Sequence, residues 1–156
     1  MKILVDADAF PNALKEILLR AVLKRSITTL FIANKKISIP NEAFISMEVV
    51  PLGLDVADNR IAELVEAEDL VITADIPLAD RVVAKGAFAL DPRGTIYDEE
   101  NIKYLLAMRN LMDELRCCGE ITGGPSAIDA KTIRAFADGL NKLLSKMDKN
   151  KSQEML

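Results

Sequence analysis

The sequence contains no histidine and no tryptophan. The first absence excludes Ser-His-Asp and Cys-His nucleophilic catalysis, His-ligated metals and imidazole acid–base chemistry together. Any catalysis must therefore come from carboxylates, lysine, hydroxyls, thiols or a bound metal. Aromatic residues are scarce, with five Phe and two Tyr, which argues against a broad platform of rings on which successive bases stack. Cys117 and Cys118 are adjacent and are the only cysteines. Such a pair staples no long loop, and without histidine it builds no structural zinc site, so both read as free thiols. No apolar run reaches membrane-spanning length, because Lys15, Arg20, Lys24 and Arg25 interrupt the first candidate. Asp6 and Asp8 fall where a signal peptide would carry its apolar stretch. The expected compartment is the cytoplasm, with no membrane partner.

What remains is an ordinary globular composition. The 156 residues suffice for one core and leave no room for a second. The expected division is a single domain over residues 1–147 and a polar, frayed tail over 148–156. The net charge of −4 offers no strong basic footprint. Much of that charge sits in five aspartates, Asp6, Asp8, Asp55, Asp58 and Asp75. With them set aside the chain is close to neutral, so a polyanionic substrate is not excluded.

The periodicity predicts strands alternating with helices. Residues 3–5 are a short β-branched run that reads as a buried strand, and Pro11 opens a helix striped by Leu14, Ile17, Leu18, Ala21 and Val22. A second strand is expected at about 29–33 and a weaker third at 48–50. Asp55 starts a helix, 70–73 is a fourth strand, Pro77 sits in the first turn of the next helix, and 87–90 is a fifth strand. Two helices follow, one from Asp98 and one striped by Ile133, Phe136, Ala137, Leu140, Leu144 and Met147. Right-handed crossovers between parallel strands then predict a three-layer α/β fold with a central sheet of about five strands in the order 3-2-1-4-5. The crossover direction reverses between strands one and four, and ligands bind at such a switch point, outside the carboxyl ends of the strands.

The aspartates gather around that point. Asp6 and Asp8 follow strand one, Asp75 follows strand four, and Asp55 and Asp58 open the helix leading into strand four. Taken singly, each has a simple role as a helix cap: Asp75 before Ile76, Asp55 with Asp58 as a D-x-x-D box, and Asp8 at the start of the first helix. Capping does not require Asp6 and Asp8 on one short turn, where like charges repel and raise each other's pKa. A cation compensates that repulsion, and carboxylate and water ligands without imidazole or thiolate suit Mg²⁺ or Mn²⁺. Thr73, at the end of strand four, is a candidate ligand contact or an ordinary strand residue. Arg93, in the turn after strand five, is a candidate phosphate clamp or a solvated turn residue. Gly123 and Gly124 approach the last helix, with Ser126 and Asp129 as a capping signature, and would admit an anion there or simply make a flexible turn. Arg109, Asp113 and Arg116 read as a solvated ion-pair face.

Several blocks in order resemble a known family. Asp6-Ala7-Asp8-Ala9 with Pro11, Asp55-Val56-Ala57-Asp58-Asn59, Leu70-Val71-Ile72-Thr73-Ala74-Asp75-Ile76-Pro77-Leu78-Ala79, Pro92-Arg93-Gly94, Met108-Arg109 and Thr122-Gly123-Gly124-Pro125 are similar to the YaiI/YqxD family of bacterial proteins. That family is similar to the PIN-like superfamily of metal-dependent nucleases. The resemblance implies acidic residues after strand one, on the helix before strand four and after strand four. Those are here Asp6, Asp58 or Asp55, and Asp75, with Asp80 as an outer member. Two positions depart from the pattern: Phe10 stands where many relatives carry Cys, and Asp91 where many carry Asn.

The expected activity is metal-dependent phosphodiester hydrolysis, with RNA as the substrate, catalysed by Asp6, Asp8, Asp58 and Asp75 around Mg²⁺ or Mn²⁺. Thr73, Arg93, Gly123 and Gly124 would contact the substrate. The alternative is a phosphatase resembling the haloacid dehalogenase group, with Asp6 as nucleophile, Asp8 as acid/base, Thr73 and Lys85 on phosphate, and Asp75 on the metal. Phe10 lacks the hydroxyl or small branched side chain usual after D-x-D in that group, and Asp55 with Asp58 has no task there. The third reading is a binding module for nucleic acid or protein that retains a metal site. The oligomeric state is not legible in the sequence.

Overall fold

In β1 (Ile3–Asp6), Ile3 and Val5 join one buried cluster and Leu4 joins the other. This is the period of two expected of a strand covered on both faces. The same division runs through β2 (Thr29–Ala33), which sends Phe31 to the first cluster and Ile32 to the second, and β4 (Leu70–Ile72), which sends Leu70 and Ile72 to the first and Val71 to the second. A sheet apolar on both faces needs helices on both. In this computed structural model, which describes residues 1–117 and 128–154, they are present. The first face is covered by α1 (Asn12–Arg25) through Leu14, Leu18 and Val22, and by the last helix, α5 (Ala130–Glu154), through Phe136, Leu140, Leu143, Leu144 and Met147. The second is covered by α2 (Val56–Leu64) through Ile61 and Ala62 and by α3 (Ile76–Ala84) through Leu78, Ala79, Val82 and Val83, with Ile102 of α4 (Ile102–Cys117) closing the layer.

The remaining strands are β3 (Ile45–Val49), β5 (Phe88–Leu90) and β6 (Ile96–Tyr97), and the sheet order is β3-β2-β1-β4-β5-β6. The first five strands are parallel and follow the expected order 3-2-1-4-5. The sixth is an addition to the five expected: it pairs antiparallel with β5, and two residues are too few to show any period. Its turn is closed by the Asp91 N–H on the Thr95 carbonyl at 2.9 Å and the Gly94 N–H on the Asp91 carbonyl at 2.8 Å. Gly94 has φ +96°, and a Cβ there would stand 2.6 Å from the Ala135 carbonyl group, so only glycine lets this turn lie against α5.

The third strand begins earlier than periodicity suggested, because β3 is an edge strand whose half-exposed side chains blur the alternation. The last helix begins behind Asp129, whose carboxylate accepts the Thr132 N–H at 2.8 Å, a bond that holds Asp129 below the usual carboxylate range. Its backbone stays helical to Glu154, past Asp148, where a polar tail was expected to fray. Asp148 itself pairs with Arg25 at the end of α1.

The amino-terminal edge of the sheet is tied by Asp69, which is 1% exposed. Its carboxylate accepts the Lys2 N–H at 3.0 Å, the Lys2 ammonium at 2.7 Å and the Glu66 N–H at 2.8 Å, joining the starts of β1 and β4. Removing a buried charged acceptor strands its donors. Asp69→Ala is expected to cost about 3–5 kcal/mol of unfolding free energy in urea titrations. Glu66→Ala, which removes only the solvent-exposed contact to Lys2 at 3.5 Å, should cost less than about 1 kcal/mol. Equal losses in the two variants would refute this account.

Candidate functional site

The site is built from the carboxyl ends of β1 and β4. Val5 is in register with Ile72, so the next residues, Asp6 and Thr73, emerge side by side. Thr73 is 1% exposed, and its hydroxyl works in both directions. It donates to Asp6 Oδ2 at 3.1 Å and accepts the Asp75 N–H at 3.0 Å. Asp75 is the N-cap of α3, its Oδ1 accepting the Leu78 N–H at 2.9 Å. The capping role is therefore real for Asp75, and it coexists with a place beside Asp6.

The third carboxyl arrives from α2. A crossover helix runs antiparallel to its strands, so its first turn lies over their carboxyl ends, and the route from β3 back to β4 carries it across β2 and β1. Asp58, in that first turn, lies close enough to Asp75 for the two carboxyls to interact. Burial, then the interaction with Asp75, then the charges of Asp6 and Asp55, push the Asp58 carboxyl up to about 7. Asp6 is also raised, first by burial and then by Asp8 and Asp75, against the opposing bond from Thr73. Asp6, Asp58 and Asp75 take part in no ion pair among the described residues.

Asp8 and Asp55 flank this group. Asp8 lies in the 3-10 turn Ala7–Ala9, and both its oxygens accept the Asn34 N–H, at 3.0 and 2.9 Å, which turns it toward the end of β2. Asp55 precedes α2 at φ 61°, in the left-handed region, and makes no side-chain cap bond. The D-x-x-D capping box is thus not formed, and Asp55 acts on Asp58 through its charge alone. With each carboxyl engaged in this way, no group of three or more acidic or thiol side chains among the described residues is set to hold a metal ion.

Arg93 follows β5 on the same sheet edge. It is exposed, and its backbone N–H bonds Asp91 Oδ1 at 2.7 Å. Sequence reading missed Tyr97, the hydroxyl of which donates to Asp91 Oδ2 at 2.8 Å. Burial first, then Asp91, raises the Tyr97 phenol well above its usual value; Arg93 opposes the shift and Asp75 adds to it. Tyr97 is therefore within electrostatic reach of the acidic cluster. Only the unrecognised hairpin, which folds Tyr97 back beside Asp91, would have signalled this.

Other expectations fall elsewhere. Lys85 caps the far end of α3 and its ammonium bonds the Ala62 carbonyl of α2. That end is about 15 Å from Asp75 at ~1.5 Å per residue, so Lys85 is not a phosphate contact beside Asp6, and the phosphatase reading loses its cation. Asp80 pairs with Lys103 of α4 at 3.1 Å and is not among the charges acting on Asp6 or Asp58. Arg109 pairs with Asp113 at 3.4 Å on α4, as a solvated helix face should. Nothing is described for the Arg116 side chain. Phe10 packs edge-on against Phe136, ring centroids 5.6 Å apart, so that position serves the core. Cys118, Gly123, Gly124 and Ser126 lie outside the described residues.

A mostly parallel α/β sheet with carboxyls gathered at its switch point is the class that fold and site define. Residues 4–146 match the model of the family described as "Uncharacterized BCR, YaiI/YqxD family". The chain is 51% identical over 146 residues to a UPF0178 protein of Maridesulfovibrio salexigens, covering 94% of this chain and 97% of that one. It is 52% identical over 151 residues to a UPF0178 protein of Nitratiruptor sp., covering 97% and 99%. This protein belongs to the YaiI/YqxD family. No solved structure matches it.

The raised Asp58 carboxyl has a consequence for stability. A folded-state value above the unfolded one means that its contribution is fully present below about pH 4 and is lost as pH rises through about 7. Asp58→Asn keeps a donor toward Asp75 and does not titrate. Urea midpoints should show Asp58→Asn more stable than the native protein at pH 8, with the difference shrinking toward pH 4. A difference that does not change with pH would show that Asp58 is not proton-linked to folding.

Proposed function

We propose that this protein hydrolyses phosphodiester bonds in RNA, using Mg²⁺ or Mn²⁺ that Asp6, Asp58 and Asp75 would hold after turning from the arrangement described above, in which they are not set around an ion. One observation supports this most. Three carboxyls from three separate segments are pressed together at the switch point, partly buried, with no cationic side chain among the described residues paired to them. Such crowding opposes folding, and a bound cation relieves it. The donors are all oxygens, which suits a hard divalent ion. The raised Asp58 carboxyl, pushed up to about 7 by burial and its neighbours, is the group whose ionised form such an ion would favour.

When bound, the ion supplies an activated water and neutralises charge on the departing oxygen. The chain's own residues do the rest. Thr73 fixes the Asp6 side chain, the N–H of Leu78 fixes Asp75, and the N–H of Asn34 holds Asp8 at the flank. Arg93, exposed on the same edge, offers a guanidinium to a phosphate. The PIN-like resemblance read from the sequence blocks points the same way, since it implies acidic residues after the first strand, before the fourth and after the fourth.

Mg²⁺ or Mn²⁺ should raise the melting temperature by mass action. Asp6→Asn should abolish that rise while melting higher than the native protein without metal, because a repelling charge is gone. Cleavage of single-stranded RNA should fall at least about a hundredfold in Asp6→Asn and Asp75→Asn. Melting curves indifferent to both metals, together with intact RNA, would remove the proposal.

A further inference from the structure

Beside Asp6 and Asp8, a cavity of about 260 Å³ opens between the 3-10 turn, the start of α1 and the segment after β2. Ala7, which separates the two aspartates, is part of its wall. Phe31 is fully buried there, Phe10 is held against Phe136, and half-buried Ile37 completes the apolar lining. Asn12 stands exposed in the lining with an amide that offers both donors and an acceptor. Lys15 closes one side by bonding the Ser38 carbonyl.

The cavity is smaller than the ~300–1,000 Å³ of sites for drug-sized molecules, which suits a single flat ring system. Its surroundings narrow the choice. Lys15 stands in its wall, and the exposed Lys35 and Lys36 follow Asn34, the residue whose N–H holds Asp8. A slot with aromatic and apolar walls, a hydrogen-bonding amide and lysines at its rim, opening at the same carboxyl edge of the sheet from which Asp6 and Asp8 emerge, has the features of a nucleotide site: ring in the slot, phosphates outside. Single-stranded RNA is read by splaying a base into such an aromatic-lined pocket and bonding its edge.

We infer that this cavity is a base-recognition subsite that takes one nucleobase of a single-stranded RNA whose backbone crosses the acidic cluster. The inference rests on the phosphodiesterase reading above, and it assigns Phe10, Asn12, Phe31 and Ile37 a part in substrate choice. It also accounts for an acidic chain with few aromatics engaging RNA, because one enclosed base replaces a platform of stacked ones.

The test uses the full chain and two end-labelled probes, a five-nucleotide single-stranded RNA and the same ribose-phosphate backbone without bases. Binding is read by fluorescence anisotropy and hydrolysis by product length with Mn²⁺. The native protein should bind the base-bearing probe about tenfold more tightly, the effect of one enclosed base. Ile37→Trp places an indole in the slot; it should bring the base-bearing probe to the abasic affinity and leave the abasic affinity unchanged. Asn12→Ala, an exposed change that spares the core, should cut the preference by about fivefold. Equal affinity of the native protein for both probes, or a preference that survives both variants, overturns the inference. If the abasic probe is cleaved as fast as the base-bearing one, hydrolysis stands and the subsite falls. If neither is cleaved yet the preference responds to both variants, the subsite stands and the hydrolase reading falls.

Discussion

The hydroxyl of Thr73 is the interaction on which the site depends. It is buried, it donates to Asp6 and it accepts the backbone N–H of Asp75. Through one oxygen the end of β1 is tied to the turn between β4 and α3. Without it, Asp6 would be free to swing away from Asp75, and the repulsion between them would favour that. The bond also works against the other forces on Asp6, since burial and neighbouring charges raise its pKa while Thr73 lowers it.

Given that tie, the rest of the carboxyl edge follows from helix direction. Because α2 runs antiparallel to the strands it covers, its first turn delivers Asp58 to the pair already held by Thr73. The group then carries more negative charge than its partly buried position favours, and burial with those charges pushes the Asp58 carboxyl up to about 7. Asp8 is drawn off by the Asn34 N–H and remains near enough only to act by charge. The cluster thus has an inner set, Asp6, Asp58 and Asp75, and two flanking carboxylates.

The two ends of this edge differ in character. Toward β2 lie the apolar slot and the lysines at 15, 35 and 36. Toward β5 lies the hairpin, where Gly94 lies against α5 at a spacing no side chain would permit and Asp91 holds both the Arg93 backbone and the Tyr97 hydroxyl. Opposite the whole assembly, Asp69 binds the strand starts through Lys2. Fixed strand starts leave the carboxyl ends as the edge where side chains can be arranged for chemistry.

Much of this was legible in the residues themselves. Strand alternation at Ile3, Leu4 and Val5, and again at Leu70, Val71 and Ile72, implies a sheet covered on both faces, and crossover handedness then orders five strands. Those rules are local and periodic, so they also place Asp6, Thr73 and Asp75 at adjacent strand ends. They say nothing about contacts between segments that share no period. The Asn34 N–H that claims Asp8 and the Ala62 carbonyl that claims Lys85 each lie more than twenty residues away in the chain. The two-residue strand that carries Tyr97 back to Asp91 and the left-handed backbone that keeps Asp55 from capping α2 are too short to show any period. Capping and charge repulsion compete for the same carboxyls, and sequence spacing permits both. Only the folded geometry, by setting which N–H or hydroxyl each oxygen meets first, decides between them.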